Sequence, residues 1–85
     1  MKILIPSPLR SYTGASEIEA EGDTLGALID NIDQRFAGFA FRLIDEQGRV
    51  RPHMRVFVGN EQVFDLARPL QPGDSIAIVQ ALSGG

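Results

Sequence analysis

The sequence predicts an α+β domain in two layers: a mixed sheet of four to five strands with one main helix packed on one face. Three observations predict it. Short runs within Lys2–Pro6, Ser16–Gly22, Met54–Phe64 and Ser75–Gln80 are β-branched or alternate apolar with polar residues. Only one stretch, Gly22–Gly38, sustains a helical period. The 85 residues are enough for one domain and too few for two.

The first strand is "KILIP", short, apolar and β-branched. Pro6 and Pro8 then loosen the chain, because proline in strands is confined to ends, edges and bulges. "SYTGA" (Ser11–Ala15) is a turn cluster with Gly14 as its pivot. In "SEIEAEG", Glu17, Glu19 and Glu21 face one way and Ile18 and Ala20 the other, the pattern of a half-buried strand. Three carboxylates in alternation could hold calcium or do acid–base work. A solvated face is the better reading, since charge on an edge strand prevents association.

The helix lies in "GDTLGALIDNIDQRFAG". Asp23 or Thr24 supplies the N-cap oxygen. Leu25, Leu28, Ile29, Ile32 and Phe36 form one apolar stripe, and Asp30, Asn31, Gln34 and Arg35 take the outer face. Gly38 stands where a left-handed residue ends a helix. Gly26 costs about 1 kcal/mol relative to alanine and suits close packing on the sheet. In "FAFRLIDEQGRVRPHMR" a short helical turn is expected over Ala40–Ile44, with Gly48 turning the chain. Arg49, Arg51 and Arg55 flank His53 there, a basic stretch read first as a solvated loop and second as a docking site.

Met54–Phe64 is a hairpin, with Gly59-Asn60 suited to a type II′ turn. Val56 and Val58 share one face and Phe57 takes the other. A turn at Pro72–Asp74 leads into the final strand, Ser75 to Val79 or Gln80. There Ile76 and Ile78 share a face opposite Ala77 and Val79. The economical arrangement of these elements is a β-grasp, with the first and last strands parallel in the centre. The helical stripe would pack on Ile3, Ile5, Ile18, Val56, Val58, Ile76 and Ile78. Residues 1–80 form the domain, and residues 81–85 form a mobile tail ending in Gly84-Gly85.

Composition excludes several function classes. There is no cysteine, hence no thiol nucleophile and no zinc-finger pattern. The single histidine, His53, leaves little for a transition-metal site or a catalytic base. A net charge of −3 argues against nucleic acid and anionic membranes as partners. "MKILIPS" is too short an apolar run for a signal peptide, and no stretch approaches a membrane span, so the expected location is the cytoplasm.

The residues resemble the MoaD/ThiS family of ubiquitin-like sulfur carrier proteins over the whole chain. The resemblance rests on "GDTLGAL" opening the helix, "RVFVGNEQV", "PLQPGDSIAIV" before the last strand, and the terminal Gly84-Gly85. "LRSYTG" and "RLIDEQGRVRPHMRVFV" are most similar to the carriers that serve cysteine biosynthesis. Two departures stand out. The hairpin carries Val58-Gly59-Asn60 where the family often has Val-Asn-Gly or Val-Asn-Asp. No proline precedes the tail in Val79-Gln80-Ala81-Leu82-Ser83.

The resemblance implies that an E1-like partner adenylates the Gly85 carboxylate with ATP. A sulfur donor then displaces AMP, and the resulting thiocarboxylate passes sulfur to an acceptor, in the cysteine or molybdenum cofactor pathway. Partners would be that E1-like enzyme and a sulfur-accepting synthase, resembling either cysteine synthase or the large subunit of molybdopterin synthase. A metalloprotease is a third. The carrier itself would bind no cofactor and catalyse nothing. Gly84 and Gly85 lack Cβ atoms, so the backbone can thread a narrow channel. Six residues from Gln80 to Gly85 reach roughly 20 Å when extended. By strand parity Leu4, Phe57, Ala77 and Val79 lie on the sheet face away from the helix, with Phe57 as the expected anchor of docking. Leu82 and Ser83 complete the partner-binding set. Two other readings use the same residues: a ubiquitin-like modifier joined through Gly85 to lysines of other proteins, and a non-covalent β-grasp interaction module. A stand-alone enzyme is disfavoured, because Ser7, Ser11, Ser16, Ser75 and Ser83 have one histidine between them and no base–orienter set.

Overall fold

Five strands form a single sheet: in spatial order β2 (Glu17–Glu19), β1 (Lys2–Leu4), β5 (Ser75–Gln80), β3 (Met54–Val58) and β4 (Glu61–Gln62). The coordinates are a computed structural model that describes residues 1–81. β1 and β5 pair in parallel, Ile3 opposite Ile76, and every other pairing is antiparallel. The first and last strands are thus the central neighbours, as the β-grasp arrangement requires.

Parity sorts the side chains. Ile3, Ile18, Val56, Val58, Ile76 and Ile78 are buried on one face, together with Ile5 just beyond β1. Helix α2 (Leu25–Arg35) lays Leu25, Leu28, Ile29 and Ile32 onto that core, and Phe36 packs at its margin only half-buried. Each such buried aliphatic side chain contributes roughly 1.5–3 kcal/mol. Thr24 caps α2 by accepting the Ala27 N–H at 3.1 Å. The next free donors meet the connector after β4: Leu25 N–H donates to the Arg68 carbonyl at 3.0 Å and Gly26 N–H to the Leu66 carbonyl at 2.8 Å. A Cβ on Gly26 would sit 3.2 Å from that Leu66 oxygen. The close approach at Gly26 is therefore to the connector rather than to the sheet. Gly22 is tighter still, with a Cβ there falling 2.6 Å from the Leu28 Cα.

Three features differ from the sequence expectation. The segment after β1 is helical: a 3-10 turn (Ser7–Leu9) runs into α1 (Arg10–Thr13), which Gly14 ends at φ 72°. Pro8 fits because the first helical turn has no use for its missing N–H, and Leu9 anchors the piece in the core. α2 ends at Arg35, earlier than expected. Gly38, left-handed at φ 95°, instead opens α3 (Phe39–Leu43). Asp33 Oδ1 bridges the two helices, accepting from Gly38 N–H at 3.1 Å and Ala40 N–H at 2.9 Å. α3 then buries Phe39 and Leu43 completely. In the β3–β4 hairpin Gly59 has φ 61° and Asn60 does not, as a type II′ turn demands. Among the described residues no helix is long and apolar enough to cross a membrane.

Candidate functional site: the open sheet face and the end of the last strand

The face away from α2 carries one continuous row. Register places Leu4 of β1 beside Ala77 of β5, Ala77 beside Phe57 of β3, and Phe57 beside Gln62 of β4. The predicted residues Leu4, Phe57, Ala77 and Val79 therefore do share one face, and none of them is buried. Their weights differ from expectation. Leu4 is 50% exposed and Val79 40%, whereas Phe57 is half-buried among its cross-strand neighbours. On this face the most exposed apolar side chains are Leu4 and Val79, with Phe57 as the supporting surface between strands; Phe64 and Phe41, at 69% and 60%, are more exposed but lie outside the row.

β5 is held along its full length. Met54 pairs with Gln80, and beyond that pair the Ala81 N–H donates to the His53 carbonyl at 2.8 Å. The chain is thus held through Ala81, two residues into the six-residue span from Gln80 to Gly85. The predicted tail residues Leu82, Ser83, Gly84 and Gly85 lie outside the described residues.

Two grooves adjoin the end of β5. One is lined by Leu4, Pro6, Arg10, Ser16, Val79 and Ala81. The other is lined by Tyr12, Arg42 and His53, and Gln80 borders both. The sequence reading missed Arg10, Tyr12 and Arg42. They lie in segments without periodicity, and only the fold brings them to the strand end. His53 is exposed, and its structural role runs through its backbone carbonyl.

The alternating carboxylates Glu17, Glu19 and Glu21, in and just after β2, are occupied locally. Glu21 and Glu19 meet the Met1 ammonium at 2.9 and 3.3 Å, and Glu17 meets Lys2 at 3.9 Å. Among the described residues no cluster of His, Cys, Asp or Glu could hold a metal ion. The arrangement offers an open, partly apolar sheet face, two grooves bordered by arginines, and a strand leading toward the C-terminus.

Comparison with known proteins agrees with this geometry. The ThiS family profile matches residues 3–85. The sulfur carrier protein CysO of Mycobacterium tuberculosis is 35% identical over 89 residues, covering 98% of this chain and 96% of that protein. Its crystal structure superposes with a TM-score of 0.90, over 95% of this chain and 98% of that one. CysO in the Amycolatopsis orientalis BexX/CysO complex superposes at 0.89 with 33% identity, covering 99% and 98% of the two chains. The small archaeal modifier protein 1 of Haloferax volcanii, 22% identical with a TM-score of 0.74 over 100% and 98%, shares the fold. With the family profile spanning nearly its whole length on a β-grasp domain, the chain belongs to the ThiS family.

Proposed function

We propose that this chain is a sulfur carrier protein that serves cysteine biosynthesis, with the Gly85 carboxylate as its reacting group. One observation carries the reading: the central strand β5 runs past an open apolar row and leads, four residues beyond Ala81, to Gly84-Gly85. The near-full-length similarity to CysO supports the same assignment.

The chemistry balances without any catalytic group on the carrier. A carboxylate oxygen of Gly85 attacks the α-phosphorus of ATP on an E1-like partner and pyrophosphate leaves. Sulfide attacks the acyl carbon and displaces AMP, giving a terminal thiocarboxylate. That sulfur attacks an electrophilic carbon on a sulfur-accepting synthase, and water cleaves the resulting thioester to restore the carboxylate. The carrier supplies the docking row and the acyl group. We assign ATP, acid–base groups and metal ions to the partners, and the cytoplasm as the site of action. A cysteine-synthase-like acceptor fits this reading best.

The test is the intact mass of the protein isolated from its own cells with an unmodified C-terminus, beside a variant lacking Gly84-Gly85. Replacement of one oxygen by one sulfur in the first and not the second is the expected result. Unmodified chain in both, even after incubation with ATP, sulfide and cell extract, would defeat the proposal. A ladder of heavier conjugates would favour the modifier reading.

A further inference from the structure

Seven arginines are distributed unequally between charged and neutral partners. Arg49 pairs with Asp45 at 3.8 Å and Arg68 with Glu61 at 2.9 Å. Among the described residues the other five make no ion pair with a carboxylate, although the chain holds eleven. Neutral oxygens fix them instead. Arg10 Nε donates to the Ile5 carbonyl at 3.0 Å, Arg42 Nε to the Tyr12 hydroxyl at 2.6 Å, and an Arg55 terminal nitrogen to the Pro52 carbonyl at 2.6 Å.

Three of these cations gather where β5 ends. Arg10 lines one groove beside Val79–Ala81, Arg42 lines the other beside Gln80, and Arg55 stands in register with Val79. In Arg10 and Arg42 the internal bond uses Nε, so both terminal nitrogens remain for a bidentate partner. Arg42 is further steadied over the Tyr12 ring, 5.9 Å from its centroid. The nearest carboxylate in the Leu4 row, Glu17, is taken by Lys2.

We infer that Arg10, Arg42 and Arg55 form a cationic collar that docks an acidic protein surface around the mouth of the channel receiving the C-terminal tail. The inference rests on the carrier reading, since it takes the tail as the part that enters a partner. Charge complementarity selects a protein surface. The two groove arginines flank Gln80 from separate sides, which suits spaced carboxylates on a rim better than one phosphate. A polyanion would meet a chain of net charge −3. Preorganised rim charges act mainly on encounter rate and its salt dependence.

The experiment is ATP–pyrophosphate exchange by the E1-like enzyme from the same cells, titrated with carrier. R10E/R42E is compared with R49E/R68E, which changes net charge equally at the two arginines already paired. For R10E/R42E, KM for the carrier should rise roughly tenfold at low salt with kcat nearly unchanged. R10K/R42K should recover much of it. Wild-type KM should climb between about 20 and about 500 mM NaCl, that of R10Q/R42Q should stay nearly flat, and that of R10E/R42E should fall. R10Q/R42Q, with thermal melts on every variant, separates docking from folding. Equal KM shifts in both reversal variants, or no shift in either, would overturn the collar. So would a single-stranded oligonucleotide that binds wild type and not R10E/R42E. Absence of any exchange with wild type would remove the carrier reading itself, and the collar with it.

Discussion

The amide of Ala81 donates to the carbonyl of His53 at 2.8 Å, one residue beyond the last pair of the β3–β5 ladder. His53 comes from the loop before β3, so this single bond ties the end of β5 to a segment remote in sequence. Only four residues follow Ala81. They span at most about 14 Å when extended, so under the proposed carrier function a partner would place its reacting centre within that distance of the sheet.

Deleting Ser83 while keeping Gly84-Gly85 should therefore be severe. The reach shrinks by about 3.5 Å, and a misplacement of that size costs at least about 100-fold in rate. The melting temperature should not change. Adenylation kinetics of the deletion variant check this, and a rate near wild type would mean that Ala81 detaches from His53 during turnover.

Leu4 and Val79 are exposed and Phe57 is half-buried, so their substitutions should separate. L4E and V79E should each weaken partner binding by about 2 kcal/mol and leave folding intact. F57A should weaken binding and also lower stability by about 1–2 kcal/mol, because part of its ring is out of water. Titration calorimetry against the adenylating partner and denaturant melts give the two readouts. Unaltered affinity in L4E would move the docking face elsewhere.

Gly22 has no room for a side chain, its Cβ position falling 2.6 Å from the Leu28 Cα. G22A should destabilise the fold by about 3 kcal/mol through overpacking against the helix backbone. G59A meets nothing within 4 Å and suffers only from φ 61°, so about 1 kcal/mol is expected there. Urea melts of the two variants test the ordering, and a milder G22A would show that α2 shifts freely.

The Met1 ammonium is held above its ordinary pKa of 8.0, first by the hydrogen bond to Glu21 and further by Glu19, against the opposing effect of burial. A raised folded-state pKa stabilises the fold fully below the unfolded value and loses that contribution as pH climbs through the folded one. Stability should thus fall above about pH 8, and E21Q should flatten that fall. Melts across the alkaline range in both proteins measure it. Parallel curves would show that the pair contributes nothing.

The strands, the helix and their faces were legible because the buried positions repeat with the period of each element. Ile3 and Ile76 alternate with exposed or half-buried neighbours, and Leu25, Leu28, Ile29 and Ile32 follow the helical stripe. The piece from Ser7 to Thr13 was not legible. It is short, has one buried anchor in Leu9, and starts between Pro6 and Pro8, which also suit a loop. The half-burial of Phe57 depends on cross-strand neighbours distant in sequence. The Ala81–His53 bond and the gathering of Arg10 with Arg42 likewise join remote segments, and no local pattern announces either.

The parallel pairing of β1 with β5 has a consequence for synthesis on the ribosome. β5 is the sheet's central strand and the last to be made, so a nascent chain released before Ser75 lacks the partner that both β1 and β3 require. Such fragments cannot close the core and should fall to proteolysis. Under the proposed carrier function, a prematurely terminated product would then seldom occupy an activating enzyme as a tailless decoy. The fold cannot close before β5 has been made, which screens the pool of chains for those that possess the central strand.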